Sequence, residues 1–201
     1  MQIFLNGFFV SLGLIMAIGA QNVYVLKRGL LKEHVFLVAL TCGFIDALLI
    51  IAGIKGLGKF LEVFPSFITY ITFFGIIFLL TYGFLALKSA LKTNSMQVDT
   101  HSHKPSAKKV FFTLLSLSLL NPHVYLDTLI LIGAIGNSYA KELQNLFALG
   151  AISASFLFFF SLAYGSRVLI PLFKKPTTWK YLDLFTAFIM FFIAFNLYQT
   201  L

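Results

Sequence analysis

Two aspartates stand inside long apolar runs that hold no lysine or arginine to neutralise them. Asp46 lies in Gly43-Phe44-Ile45-Asp46-Ala47, and Asp127 follows Pro122 by five residues. Placing a carboxyl at the centre of a membrane helix costs about 2.5–3.5 kcal/mol on insertion scales, so such a residue is a functional candidate by default. Asn121-Pro122-His123 sits in the middle of another apolar run. Pro122 removes a backbone donor and clashes with the preceding turn, which predicts a kink or break near Asn121. Carbonyls freed there must face a cavity or a polar partner. Gly19-Ala20-Gln21-Asn22 offers a matching small and polar interruption in the first run. Two carboxylates without a compensating base make a net negative interior, and that suits a cation. The broken-helix amides suit a carboxylate.

The elements that must position these groups are membrane helices. The chain is 201 residues long, 59% hydrophobic and only 11% charged. A soluble domain carries about 25% charged residues. Six apolar stretches, 3–26, 35–54, 67–87, 110–132, 146–165 and 184–201, each approach the roughly 20 residues that a helix needs to cross the hydrocarbon core. They are continuously apolar rather than alternating, which excludes a transmembrane barrel. The expected fold is therefore an all-α membrane protein of six transmembrane helices, and the first stretch reads as a retained helix. Cys42 is the single cysteine, so neither an internal disulfide nor CxxC redox chemistry is expected, and Cys42 reads as a packing residue.

The net charge of +8 follows topology, and a nucleic-acid partner is not expected. Lys27, Arg28, Lys32, Lys88, Lys92, Lys104, Lys108, Lys109, Arg167, Lys174, Lys175 and Lys180 fall in connections one, three and five. The opposite side has Lys55, Lys59 and Lys141. Twelve against three is a strong positive-inside bias. It predicts that the odd connections are cytoplasmic and both termini outside.

The polar linker 88–109 divides a single transmembrane domain, 1–201, into repeat one, 1–87, and repeat two, 110–201. Three crossings per half make the second inverted relative to the first. Ala20-Gln21-Asn22-Val23-Tyr24 echoes Asn121-Pro122-His123-Val124-Tyr125. Interrupted helices at corresponding places in two inverted halves point to a transporter binding site. The expected site comprises Asp46, Asp127, Asn121, Pro122, Tyr125, Gln21 and Asn22. His123 reads as a bundle histidine and His101 with His103 as solvated loop residues. No metal site or cofactor is expected, since structural metal sites want about four ligands.

Gly13–Asn22 (GLIMAIGAQN), the aspartate of Gly43–Ala47 and Leu119–Gly133 (LLNPHVYLDTLILIG) together resemble the lysine exporter family over essentially the whole chain. The specific part is Asn-Pro-His-Val-Tyr-Leu-Asp-Thr. Its Tyr125-Leu126-Asp127 continuation is similar to the basic amino acid branch, which exports arginine and lysine. The resemblance implies a multi-pass exporter of the bacterial cytoplasmic membrane, not an enzyme, driven by an ion gradient; the positive charge of the exported solute makes the proton the expected coupling ion. Its expected partners are a basic amino acid and the lipid bilayer, with assembly into a homo-oligomer left open. Family topologies vary, and a five-crossing arrangement competes with the six that the charge bias favours. Alternative cargoes are neutral amino acids or divalent metals. From a different class, an intramembrane aspartyl protease would need two adjacent carboxyls sharing a proton and a Gly-x-Gly-Asp string, and neither aspartate sits in one.

Overall fold

The computed structural model describes residues 1–16, 19–57, 65–92, 105–174 and 176–199. His101 and His103 lie outside the described residues, as does most of the linker. The elements are α1 (Gln2–Ile15), α2 (Ala20–Leu31), α3 (Val35–Ala52), α4 (Pro65–Lys92), α5 (Ala107–Leu119), α6 (Pro122–Asn137), α7 (Lys141–Gly165) and α8 (Pro176–Tyr198). The described residues contain helices and no strands. Stretches of α3, α4, α7 and α8 are each long and apolar enough to cross a membrane as one helix. The remaining two candidate spans are bent pairs. The α1 and α2 axes differ by 85°, and those of α5 and α6 by 66°.

Local sequence accounts for both bends. Asn121 adopts extended backbone at φ −98°, and its side-chain oxygen accepts a hydrogen bond from the His123 amide at 3.2 Å. Pro122 follows as the first helical residue of α6, where its missing N–H costs nothing. The α1–α2 bend has no proline. Gly19 provides the extended N-cap at φ −122°, ψ 169°. Counted from the Val-Tyr pairs, the two caps are one residue out of register. Past the second bend, Tyr125–Ile132 winds as a π-helix, a widening often found at functional sites.

Close backbone approach joins the first half to the second. α1 lies along α7. A Cβ built on Gly7 would stand 2.2 Å from the Phe147 carbonyl oxygen, and one on Gly150 would stand 2.0 Å from that of Phe4. Small residues that admit a neighbouring backbone are the usual glue of membrane helices. Gly13 has nothing within 4 Å of its ideal Cβ, whereas Ala151 and Ser155 on α7 are fully buried. α3 packs on α7 and on α5, and α4 packs on α8.

Connections one and three meet at one end, where the His34 ring nitrogen lies 2.8 Å from the Pro105 carbonyl oxygen. Near the other end, Gly53–Leu57 packs on Gly133–Asn137, and Asn6 donates to the Tyr139 hydroxyl at 2.6 Å. Phe9, Phe44, Phe74, Phe84 and Phe188 are all more than half exposed. Large apolar exposure of this kind suits contact with lipid.

Candidate functional site

Both bends open onto one cavity of about 320 Å³, within the size range of small-ligand sites. Its lining comes from every part of the fold that the sequence marked. Gln21 and Asn22 enter from the start of α2, Asp46 from α3, Asn121 from the second bend, and His123 and Asp127 from α6. The two half-helices α2 and α6 both begin at this cavity, so the partial positive charge of each N-terminus is directed towards it.

Each polar group is held differently. Asp46 is 6% exposed, and its Oδ2 accepts a hydrogen bond from Ser155 on α7 at 2.7 Å. Asp127 is half-buried within the π-helical stretch, nearer to open space than Asp46. Gln21 Oε1 accepts from the Ser118 hydroxyl at 3.0 Å, tying α2 to α5. Its amide nitrogen is buried with no hydrogen-bond partner among the described residues. Asn22 Nδ2 donates to the Ile15 carbonyl at 2.9 Å, across the first bend. Tyr125 serves the second bend in the same way, its hydroxyl donating to the Leu119 carbonyl at 2.8 Å. These two side chains satisfy carbonyls that the broken helices release, as buried backbone demands.

Of the seven residues singled out from sequence, Gln21, Asn22, Asp46, Asn121 and Asp127 line the cavity. Pro122 is buried behind it and shapes the bend, and the Tyr125 hydroxyl is committed to Leu119. The cavity also takes in Thr128, Phe159, Phe192 and Asn196, which the sequence reading passed over. Asn196 stands in the run Phe195-Asn196-Leu197, and a polar residue in so apolar a run is a signal that could have found it. Among the described residues, no group of three His, Cys, Asp or Glu side chains could hold a metal ion.

A third carboxylate completes the picture. Asp183 is 4% exposed and pairs with Lys27, so Asp46 and Asp127 are not the whole set of buried carboxyls. It falls one residue before the apolar stretch 184–201, where sequence alone reads it as a boundary residue.

The sequence model of the LysE type translocator family matches residues 12–200. The arginine exporter protein ArgO of Salmonella paratyphi A is 37% identical to this chain over 194 residues, covering 96% of it and 92% of that relative. The ArgO proteins of Salmonella typhimurium and Salmonella newport match at the same identity and coverage. No solved structure matches the chain.

Proposed function

Because this chain belongs to the LysE type translocator family, and is thus a multi-pass membrane transporter rather than an enzyme, we propose that it exports basic amino acids, arginine first, across the bacterial inner membrane by proton antiport. The observation that carries the reading is the shared cavity. Two half-helix N-termini, four side-chain amides and two carboxylates converge on it. A basic amino acid has two cationic groups and one carboxylate. Asp46 and Asp127 match the cations, and the helix N-termini with Gln21, Asn22 and Asn121 match the carboxylate. The arginine exporters that the chain resembles at 37% identity support arginine as the first candidate; lysine rests on the same charge argument.

The architecture we propose is six spans in two inverted repeats, 1–87 and 110–201, joined by a cytoplasmic linker. The packing supports it. α3 with α7 and α4 with α8 are pairs that such a symmetry maps onto themselves, and α1 on α7 has its mate in α5 on α3. The bends at Gly19 and Asn121 fall in the first span of each half. Both termini lie outside on this reading, because the basic connections meet at the end away from Asn6 and Tyr139.

Charge supports proton coupling. Moving one positive charge out of a cell that is negative inside is uphill by about 2.3 kcal/mol per 100 mV. The chain has no GxxxxGK[ST] nucleotide-binding string, the usual mark of a phosphate-binding loop. One inward proton per exported cation makes the cycle electroneutral. Proton and substrate cation compete for the same carboxylate oxygens, and that mutual exclusion is what exchange requires.

Inside-out vesicles with a pH gradient, loaded externally with labelled arginine, test the reading. Accumulation that collapses with the gradient is the expected result. Accumulation of a divalent metal or a neutral amino acid, with none of arginine or lysine, refutes it.

A further inference from the structure

The cavity stops short of the basic end of the molecule. Along α2, Gln21 lines it, and Tyr24 and Lys27 follow at about 5 and 9 Å further along the axis, at 1.5 Å per residue. Tyr24 is 3% exposed and clusters with Leu79 and Met190. Its ring meets that of Tyr82 edge-on, with centroids 6.1 Å apart. The Arg28 guanidinium sits 5.0 Å from the Tyr24 ring centre. A second cavity, about 200 Å³, is lined by both tyrosines together with Lys27, Arg28, Ser89 and Lys109 among others, and neither tyrosine lines the first. Here Lys27 pairs with Asp183 Oδ1, while Ser89 donates to Asp183 Oδ2 at 2.6 Å. The cluster therefore fastens α2 and α4 of the first half to α8 of the second.

We propose that Lys27, Asp183 and Ser89 are the cytoplasmic gate of the transport cycle, shut in this structure over a plug formed by Tyr24 and Tyr82. The proposal rests on the reading of the chain as an exporter, since a solute leaving the cell must pass from the basic end to the cavity. The apolar plug keeps water and ions from following the cavity through. The ion pair decides when the plug parts. Lys27 retains 20% side-chain exposure and Asp183 only 6%, so the pair is sheltered while joined and becomes hydrated when α2 and α8 separate. Hydration of both charges offsets the lost pairing, which makes the closed and open arrangements close enough in energy to interchange. Both Asp183 oxygens are engaged in the closed state. Parting releases them towards the solute path, where they can meet an incoming cation ahead of Asp46 and Asp127.

The test places a reporter cysteine in the cavity, Thr128→Cys in a Cys42→Ser background. A charged methanethiosulfonate reagent is applied from the cytoplasmic face of inside-out vesicles. Asp183→Asn should raise the labelling rate by at least about tenfold, because removing one partner of a sheltered pair disfavours the joined arrangement by more than that factor. The exchanged pair, Lys27→Asp with Asp183→Lys, should return labelling towards the parent rate. Unchanged cytoplasmic labelling in Asp183→Asn overturns the gate. Should that variant fail to reach the membrane, Lys27→Met, which removes the other partner of the pair, takes its place in the same labelling assay. It should raise the cytoplasmic labelling rate likewise, and unchanged labelling in Lys27→Met overturns the gate. Labelling that behaves as expected in a protein that moves no amino acid would instead sink the export reading and leave the gate standing.

Discussion

Ser155 on α7 donates its hydroxyl to Asp46 on α3 across 2.7 Å, and both residues are buried. The bond crosses between the halves of the chain at the edge of the shared cavity. It fixes one carboxylate oxygen, and on the export reading proposed above the other meets the ligand. Asp46→Asn keeps the shape and removes the charge. Export of arginine against a gradient should be lost in vesicles, with membrane content of the protein unchanged by immunoblot. Ser155→Ala should slow export by about tenfold or more, since a hydrogen bond to a charged group contributes about 1.5–3 kcal/mol. Normal gradient-driven export in Asp46→Asn would remove Asp46 from the mechanism.

Asp127 lies on the π-helical stretch of α6 and is more open than Asp46. Asp127→Asn should abolish accumulation, while Asp127→Glu should retain part of it with a raised KM, because the charge survives and its position shifts by one methylene. Equal activity of Asn and Glu variants in the vesicle assay would show that charge at this position is irrelevant.

The orientation has a direct check. Lys108 is exposed near the start of α5, and Glu142 is exposed in the first turn of α7. In a Cys42→Ser background, Lys108→Cys should react with an impermeant maleimide only in inside-out vesicles, and Glu142→Cys only in intact cells. The reverse pattern would invert the proposed topology.

Gly150→Leu should prevent stable folding. Its Cβ would fall 2.0 Å from the Phe4 carbonyl oxygen, a backbone atom that cannot step aside without moving α1. Overpacking of this severity belongs to the exceptional class of substitutions beyond about 4 kcal/mol. Gly13→Ala, with open space at the Cβ position, should be tolerated. Thermal unfolding in detergent distinguishes the two.

Much of this was legible in the sequence, for physical reasons. A charge in lipid is expensive, so Asp46 and Asp127 stood out from their surroundings. Proline breaks helices, so the second bend could be placed to the residue. What escaped depended on partners distant in the chain. Ser155 reads as one of many small residues until α7 is laid against α3. Asp183 and Lys27 sit at the margins of their helices, where charges ordinarily meet water, and only the packing of α8 beside α2 shows that they face each other. Gly7 and Gly150 are unremarkable among the 14 glycines until their opposing backbones are known. The hairpin between α2 and α3 also hides its device. Lys32 takes the left-handed conformation at φ 56°, while Glu33 N–H reaches back to Arg28 and Lys32 N–H to Gly29. That turn usually carries glycine, so composition gave no notice of it.

The contact of α1 with α7 sets a timetable for biogenesis. Asn6 and Tyr139, which join these helices' surroundings, are 133 residues apart. At a synthesis rate of 5–20 residues per second, α1 waits on the order of ten seconds in the bilayer before its partner emerges. During that interval the grooved face around Gly7 has only lipid to cover it. Helix α1 is thus made well before the partner it packs against, and the two halves complete one another instead of maturing in turn.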